Sequence, residues 1–299
     1  ATLIDQASDT ATVDEPDTIV EAFGVGLDEC RRRSGRREGQ ARTGLDALNT
    51  LVPTIDPGQM VVIAGRPGDG KTALMLGIGL HNAGANGLPT LMFSMEMGRA
   101  EIGMRAAMLV TGQSGFRFRN GEATPEEIDE LEREASKHLG YANLRVDDRV
   151  SLKVEQIAAV CRRQKRRRGL GLICVDYLQL IPATNPRESR REQIEHTSRM
   201  LKRIARELSV PLIAACQLNR EVESRPDRQP KLSDLREAGG IEADADTVML
   251  LWRKPDQGEH DPVHKVTVIV AKQRSGPTGK AELNYRRACM RFEDPFPEL

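Results

Sequence analysis

The chain has 299 residues, enough for one large domain or two small ones. Hydrophobic residues make up 39% and aromatic residues only 3%, so the core must be built from Val, Ile, Leu, Met and Ala. Lys plus Arg and Asp plus Glu stand at 44 each, so the overall charge says nothing about nucleic acid and only local clusters could.

In chain order, residues 1–15 (ATLIDQASDTATVDE) are small, acidic and without period, and read as a flexible tail. Ile19, Val20, Phe23 and Leu27 fall at the spacing of one face of a short helix, and SGRREGQART then reads as a linker. Such a helix either folds back on its own domain or docks on a neighbouring subunit. The expected division is therefore 1–40, tail and linker helix, and 41–299, one α/β domain. From residue 41 short apolar runs alternate with helical patterns. The runs are GQMVVIAG (58–65), TLMFSME (90–96), NLRVDD (143–148), GLICVD (171–176), PLIAACQ (211–217), TVMLLW (247–252) and HKVTVIVA (264–271). Runs of this kind suit strands buried on both faces of a parallel sheet. Residues 153–168 place Val154, Ile157, Ala158 and Cys161 on one helix face. Residues 190–208 do the same with Ile194, Leu201, Ile204, Ala205 and Leu208. The alternation predicts an open, mostly parallel α/β sheet with helices on both sides. From His264 to Phe292, strands joined by turns predict an antiparallel edge.

Five scattered cysteines, Cys30, Cys161, Cys174, Cys216 and Cys289, form no CxxC pair, which argues against a zinc site or a redox dithiol. They suit a reducing cytoplasm better than secretion. No apolar run is long enough to cross a bilayer, and no membrane partner is expected.

GRPGDGKT (65–72) matches GxxxxGK[ST] and sits between an apolar strand and a helical pattern, the context the motif requires. Gly65, Arg66, Pro67, Gly68, Asp69, Gly70, Lys71 and Thr72 are the candidate nucleotide-binding residues. The glycines let backbone N–H groups turn inward around phosphate oxygens, and the following helix adds its positive end. Lys71 would reach the β and γ phosphates of ATP, and Thr72 would place its hydroxyl on Mg2+. Ligands of open α/β sheets bind at the carboxyl ends of strands, so polar residues that end apolar runs carry weight. Asp176 ends GLICVD, where it would hold the magnesium ion's water shell or cap a helix. Glu96 ends TLMFSME. If that strand lies beside the loop strand, Glu96 faces the γ phosphate and can polarise the attacking water; otherwise it is an acid opening the helix GRAEIGMRAAML. Gln217 ends PLIAACQ and either senses the γ phosphate through its amide or sits in a turn.

These stretches, taken together, resemble the RecA-like motor domain of the replicative hexameric DNA helicases of bacteria and phages (DnaB-type). The resemblance is carried by TGLDAL (43–48), GRPGDGKT, MFSMEM (92–97), VDYLQLI (175–181), CQLNREVESRPDRQPKLSDLREAGGIEADAD (216–246) and KQRSGPTG (272–279), in that order, over roughly residues 41 to 295. It implies a RecA-like P-loop fold and an ATP-dependent helicase. It also implies a homo-oligomeric, hexameric ring on single-stranded DNA, with primase and a helicase loader as further partners. Glu96 then matches the catalytic base, Asp176 the magnesium ligand, and Gln217 the residue that couples nucleotide state to the DNA loops. Lys272 and Arg274 match two cations that act on the adjacent subunit's nucleotide, Arg274 as the arginine finger. SDLREAGGIEADAD matches a loop lining the central channel, with Arg236, Glu237 and Gly239 on the single-strand backbone. Gly239 and Gly240 permit close backbone approach to a phosphate chain. Glu242, Asp244 and Asp246 suit helix caps or basic residues of a neighbour better than DNA.

The sequence departs from the family in two ways. A tail, a helix and a linker precede the motor where the family carries a collar domain, and Gly-Asp-Gly stands in the phosphate loop where many relatives carry Ser-Met-Gly. Asp69 thereby adds a negative charge near the phosphates. The basic runs RRRSGRR (31–37) and RRQKRRR (162–168) read as solvated faces or as contacts to phosphate or a subunit. The rival readings are a RecA-like recombinase or branch-migration ATPase that builds filaments, and an ATP-switched DNA-binding module without unwinding. Lys272 and Arg274 share one side of an extended strand and are expected far from their own phosphate loop.

Overall fold

The computed structural model describes residues 18–20, 23, 24, 27, 40–185, 187–254 and 261–295. The chain divides into two units, Ala1–Gly39 and Gln40–Leu299. In the first, Ile19, Val20, Phe23 and Leu27 are helical, as their spacing predicts, and their side chains are exposed. The expected tail and the basic run 31–37 lie outside the described residues.

The second unit is built on one nine-stranded sheet. Its strands are β1 (Met60–Gly65), β2 (Thr90–Ser94), β3 (Leu144–Asp147), β4 (Leu172–Asp176), β5 (Leu212–Gln217), β6 (Thr247–Arg253), β7 (His264–Gln273), β8 (Gly279–Arg286) and β9 (Arg291–Glu293). Their order is β3-β2-β4-β5-β1-β6-β7-β8-β9. The strands from β3 to β6 run parallel, and β7, β8 and β9 add the antiparallel edge. Each of the seven apolar runs folds as a strand. Two depart from the both-faces-buried expectation: β3, the edge strand, whose residues are half-buried or exposed, and β7 in the antiparallel part, where Lys265 is exposed and Ile269 and Ala271 are half-buried.

Helices cover both faces, since a βαβ crossover must carry the chain across the sheet. Val61 and Ile63 point to one face, where α1 (Asp46–Asn49), α2 (Lys71–Gly84) and α3 (Arg99–Thr111) pack. Met60, Val62 and Ala64 point to the other, where α6 (Val154–Arg168) and α7 (Arg190–Glu207) pack. Every apolar residue assigned above to the α6 and α7 faces is buried. Each fully buried Leu or Ile, such as Leu201 and Ile63, contributes about 1.5–3 kcal/mol. The run 162–168 closes α6 on its outer face, where Arg162 pairs with Glu207 at 2.6 Å and Lys165 donates to the Leu208 carbonyl.

A reading based on apolar runs omits α4 (Phe116–Arg119) and α5 (Pro125–Leu139). The second has few apolar residues but a complete start signal. Thr124 Oγ1 accepts the Glu127 N–H at 3.3 Å, Glu127 accepts the Thr124 N–H at 2.8 Å, and Pro125 occupies the first turn. Leu131 and Ala135 bury its inner side against Ala107 of α3. One more short helix, α8 (Gly239–Asp244), follows the 3-10 segment Leu232–Ala238 between β5 and β6.

Candidate nucleotide-binding site

β1 ends at Gly65, and the loop that follows turns directly into α2. Gly68 and Gly70 take left-handed φ angles of +85° and +92°, which an L side chain resists. A Cβ at Gly70 would also come within 2.9 Å of the Phe292 ring, so only glycine fits there. Lys71 curls back and donates to the Gly65 and Arg66 carbonyls, both at 3.0 Å. Burial pushes its ammonium below the ordinary lysine value; Asp69, Asp176, Cys216 and Glu96 pull it back up.

The sheet register aligns the other groups. Gly65 lies beside Gln217 on β5, and Ser94 lies beside Asp176 on β4. Thr72 Oγ1 donates to Asp176 Oδ2 at 2.7 Å. Asp176 Oδ1 is buried with no hydrogen-bond partner among the described residues. Burial pushes the Asp176 carboxyl up and the nearby Glu96 charge adds to this; the Thr72 hydroxyl, Lys71 and Arg105 oppose it. An orphaned buried carboxylate oxygen beside a threonine hydroxyl is a hard-oxygen donor set that fits Mg2+, which takes one or two carboxylates and leaves its other positions to phosphate and water. No cluster of three or more His, Cys, Asp or Glu ligands occurs among the described residues.

The condition set for Glu96 is not met: β4 and β5 separate β2 from β1. Glu96 nevertheless reaches the cleft, by another route. Past Ser94 the chain turns over the end of β4, with Met95 N–H on the Asp176 carbonyl at 2.9 Å and Ser94 Oγ on the Met97 carbonyl at 2.6 Å. Met95 and Met97 are buried, and Glu96 between them is exposed. One cleft of about 280 Å³ is thus lined by Pro67, Gly68, Gly70, Lys71, Thr72, Glu96, Asp176 and Gln217.

Arg66 and Asp69 send their side chains elsewhere. They line a second cleft of about 330 Å³ behind the loop, with Trp252, Arg253 and Lys254. Arg66 pairs there with Glu223 and donates to the Leu218 carbonyl at 3.2 Å. Asp69 accepts the Arg66 N–H at 2.7 Å; burial raises its carboxyl, opposed by that bond and by Lys71, Arg253 and Arg66. The extra negative charge of the loop therefore faces away from the phosphate cleft.

Lys272 and Arg274 are absent from the cleft lining. β7 runs against β6, so its last residue, Gln273, pairs with the first residue of β6, Thr247. The two cations lie at the amino end of the parallel strands and the phosphate loop at the carboxyl end. Arg236 and Glu237 fall in the 3-10 segment Leu232–Ala238 and Gly239 opens α8; the side chains of 236–239 lie outside the described residues. The start of that segment is fixed by Asp234. It accepts Arg225 at 2.7 and 2.5 Å and the Lys231 N–H at 2.7 Å. Burial works against the Asp234 charge, but these partners outweigh it and hold the carboxyl below its ordinary value.

Several residues of the site are not among those the sequence singles out. Arg105, Tyr177 and Tyr285 also line the candidate cleft. Tyr285 stacks on Phe292 with ring centroids 4.5 Å apart, under Gly70. Gln179 braces Gln217: its Oε1 accepts the Gln217 N–H at 3.2 Å and its Nε2 donates to the Gln217 carbonyl at 3.0 Å. A lone amide in the apolar stretch VDYLQLI was the available hint.

Known proteins share this chain's sequence and fold. The family model of the DnaB-like helicase C terminal domain matches residues 41–294. The replicative DNA helicase DnaB of Leifsonia xyli subsp. xyli is 37% identical over 96% of this chain, and the chain spans 64% of that relative's length. A solved ATPase domain superposes with a TM-score of 0.84 at 30% identity, over 94% of this chain and all of that one. A DnaB-like replicative helicase solved to show its interactions with primase gives a TM-score of 0.82 at 30% identity, over 98% of this chain and 70% of its own.

Proposed function

The chain belongs to the DnaB-like helicase C-terminal domain family, and from its site we propose that it is the ATP-hydrolysing motor of a replicative DNA helicase, completed only between subunits. One observation carries the proposal. Lys71, Thr72, Asp176, Glu96 and Gln217 converge at one end of the sheet, while Lys272 and Arg274 stand at the other. Phosphoryl transfer needs positive charge on the γ phosphate from more than one side. A second copy, packed head to tail, would bring its Arg274 and Lys272 to the open cleft. Repetition of such a contact makes a ring when the rotation closes.

In this reading the loop N–H groups and Lys71 hold the phosphates, and Thr72 and Asp176 hold Mg2+, which when bound neutralises phosphate charge. Glu96 accepts a proton from the attacking water as the water oxygen bonds to the γ phosphorus and the bond to the β-phosphate oxygen breaks. Arg274 of the neighbour stabilises the charge that develops. Gln217, held by Gln179, reports the loss of the γ phosphate towards the loop of Arg236, Glu237 and Gly239. That loop holds the backbone of single-stranded DNA without reading bases. The region 1–40 is a linker whose helix docks on a neighbouring subunit, and 41–299 is the motor.

Primase and a helicase loader are the further partners of the assembled ring. A cytoplasmic setting suits the described thiols: all four are buried and free, and burial pushes Cys161, Cys174 and Cys216 up to about 12. Among the described residues no helix is long and apolar enough to cross a membrane. A forked-DNA unwinding assay with ATP tests the proposal. Strand separation that requires Lys71 supports it. Robust hydrolysis without unwinding in the assembled protein, or open filaments in electron micrographs with a non-hydrolysable analogue, would overturn it in favour of a switch or a recombinase.

A further inference from the structure

At the amino end of the sheet Arg274 shares one carboxylate, that of Asp246, with Lys202. Asp246 lies between α8 and β6 with its side chain 12% exposed. Its Oδ2 accepts the Met60 N–H at 2.7 Å and Lys202 Nζ at 2.5 Å. Its Oδ1 accepts Arg274 Nη1 at 3.2 Å. The main chain adds two bonds: the Asp246 N–H to the Met60 carbonyl and the Arg274 N–H to the Asp246 carbonyl, both at 2.9 Å. Lys202, from α7, also donates to the Gly58 carbonyl at 2.8 Å. Two cations and a backbone N–H satisfy the carboxylate, which a buried charge requires. The acid that looked misplaced in a DNA loop therefore meets basic residues of its own chain.

Arg274 and Lys272 have second partners on α8. Arg274 Nη2 donates to the Ala243 carbonyl and Lys272 Nζ to the Glu242 carbonyl, both at 2.5 Å. These carbonyls belong to the end of the helix, where they lack intrahelical donors and where cations are favoured. The same helix begins at Gly239, at the foot of the Arg236–Gly239 loop. It is also pressed onto α7: a Cβ at Gly240 would come within 2.7 Å of Glu195 Cγ. Arg274 keeps side-chain N–H groups beyond those given to Asp246 and Ala243, and its side chain is 48% exposed.

We infer that Asp246 is a positioning residue for Arg274, one that fixes the guanidinium at the sheet end and ties its aim to the DNA-loop helix α8. The inference rests on the proposed intersubunit site. The Asp246 carboxylate holds one corner of the guanidinium and the α8 carbonyl another, so a shift of α8 by DNA moves the finger. The device acts on the neighbour's hydrolysis and leaves the chain's own phosphate cleft untouched.

The test is Asp246→Asn in the assembled protein. The amide keeps an acceptor for the Met60 N–H and loses the charge that holds Lys202 and Arg274. Nucleotide affinity should stay unchanged, and DNA-stimulated hydrolysis should fall roughly 10- to 100-fold, the range for a catalytic group misplaced by about 1 Å. Mixing with Lys71→Ala subunits, which supply an intact finger, should restore part of the activity. A purely structural defect would not be rescued this way. Asp246→Glu, which keeps the charge but displaces it, should show a smaller loss with the same rescue, and carries the test if the amide variant does not assemble. Undiminished DNA stimulation in these variants overturns the inference. So does a loss without rescue where Arg274→Ala mixed with Lys71→Ala is rescued. If that control is not rescued either, the intersubunit site itself has failed.

Discussion

The two ends of the central sheet hold charge in opposite ways. At the carboxyl end of β1, Lys71 and Asp176 are enclosed, and burial pushes each towards its neutral form. At the amino end, Arg274 is half exposed; carbonyls of α8 steady it and Lys272, and Arg274 also pairs with the Asp246 carboxylate. The six residues of β1, about 20 Å of strand, separate the two groups. The first end is an open cradle whose lining cations are Lys71 and Arg105. The second is a presented cation, held by Asp246 and Ala243 and 48% exposed. In the proposed assembly the presented end of one chain completes the cradle of the next.

Breaking the presented end should have the largest effect. Arg274→Ala should lower the hydrolysis rate by about 10³–10⁵-fold while nucleotide affinity, set by the other end, is unchanged; phosphate release and nucleotide titration measure the two separately. Breaking the cradle should cost less in rate but also in binding. Asp176→Asn should reduce hydrolysis by about 10²–10³-fold and weaken the Mg2+ dependence of nucleotide binding, read in a magnesium titration.

The cradle should also be the end that responds to acid. With Asp176 raised by burial, the nucleotide-free chain takes up a proton there above the ordinary carboxylate value. Protonated Asp176 cannot hold the ion, so Mg2+-dependent nucleotide affinity should fall on acidification before ordinary carboxylates titrate, and Asp176→Asn should flatten that profile. The smallest effect is expected away from both ends. Thr124→Ala removes the α5 cap and should lower stability by about 0.5–2 kcal/mol in denaturant titration, with hydrolysis at 25 °C unchanged.

Much of this architecture was legible because strand burial writes itself as apolar runs. TLMFSME, GLICVD and PLIAACQ each end on the polar residue that lines the cleft. Strand order was not legible. Runs buried on both faces look alike whatever their neighbours, so the separation of β2 from β1 could not be read, nor the turn over β4 that returns Glu96 to the cleft. Side-chain direction in the phosphate loop was equally hidden, because the turn at Gly68 and Gly70, not residue type, decides that Asp69 faces backwards. Asp246 looked out of place for the same reason: its partners Met60 and Lys202 lie far away in sequence. The α5 helix was readable in principle, since T-P-E-E is a start signal even where the apolar stripe is thin.

In the proposed assembly a working site needs both ends, one from each of two chains. Hydrolysis should be measured in equal mixtures of Arg274→Ala and Lys71→Ala subunits, with mixed assemblies verified. Each variant alone should be inactive. The mixture should recover activity, because a Lys71→Ala subunit lends its Arg274 to the intact cradle of its neighbour. Verified mixed assemblies that stay as inactive as the two parents would contradict the account.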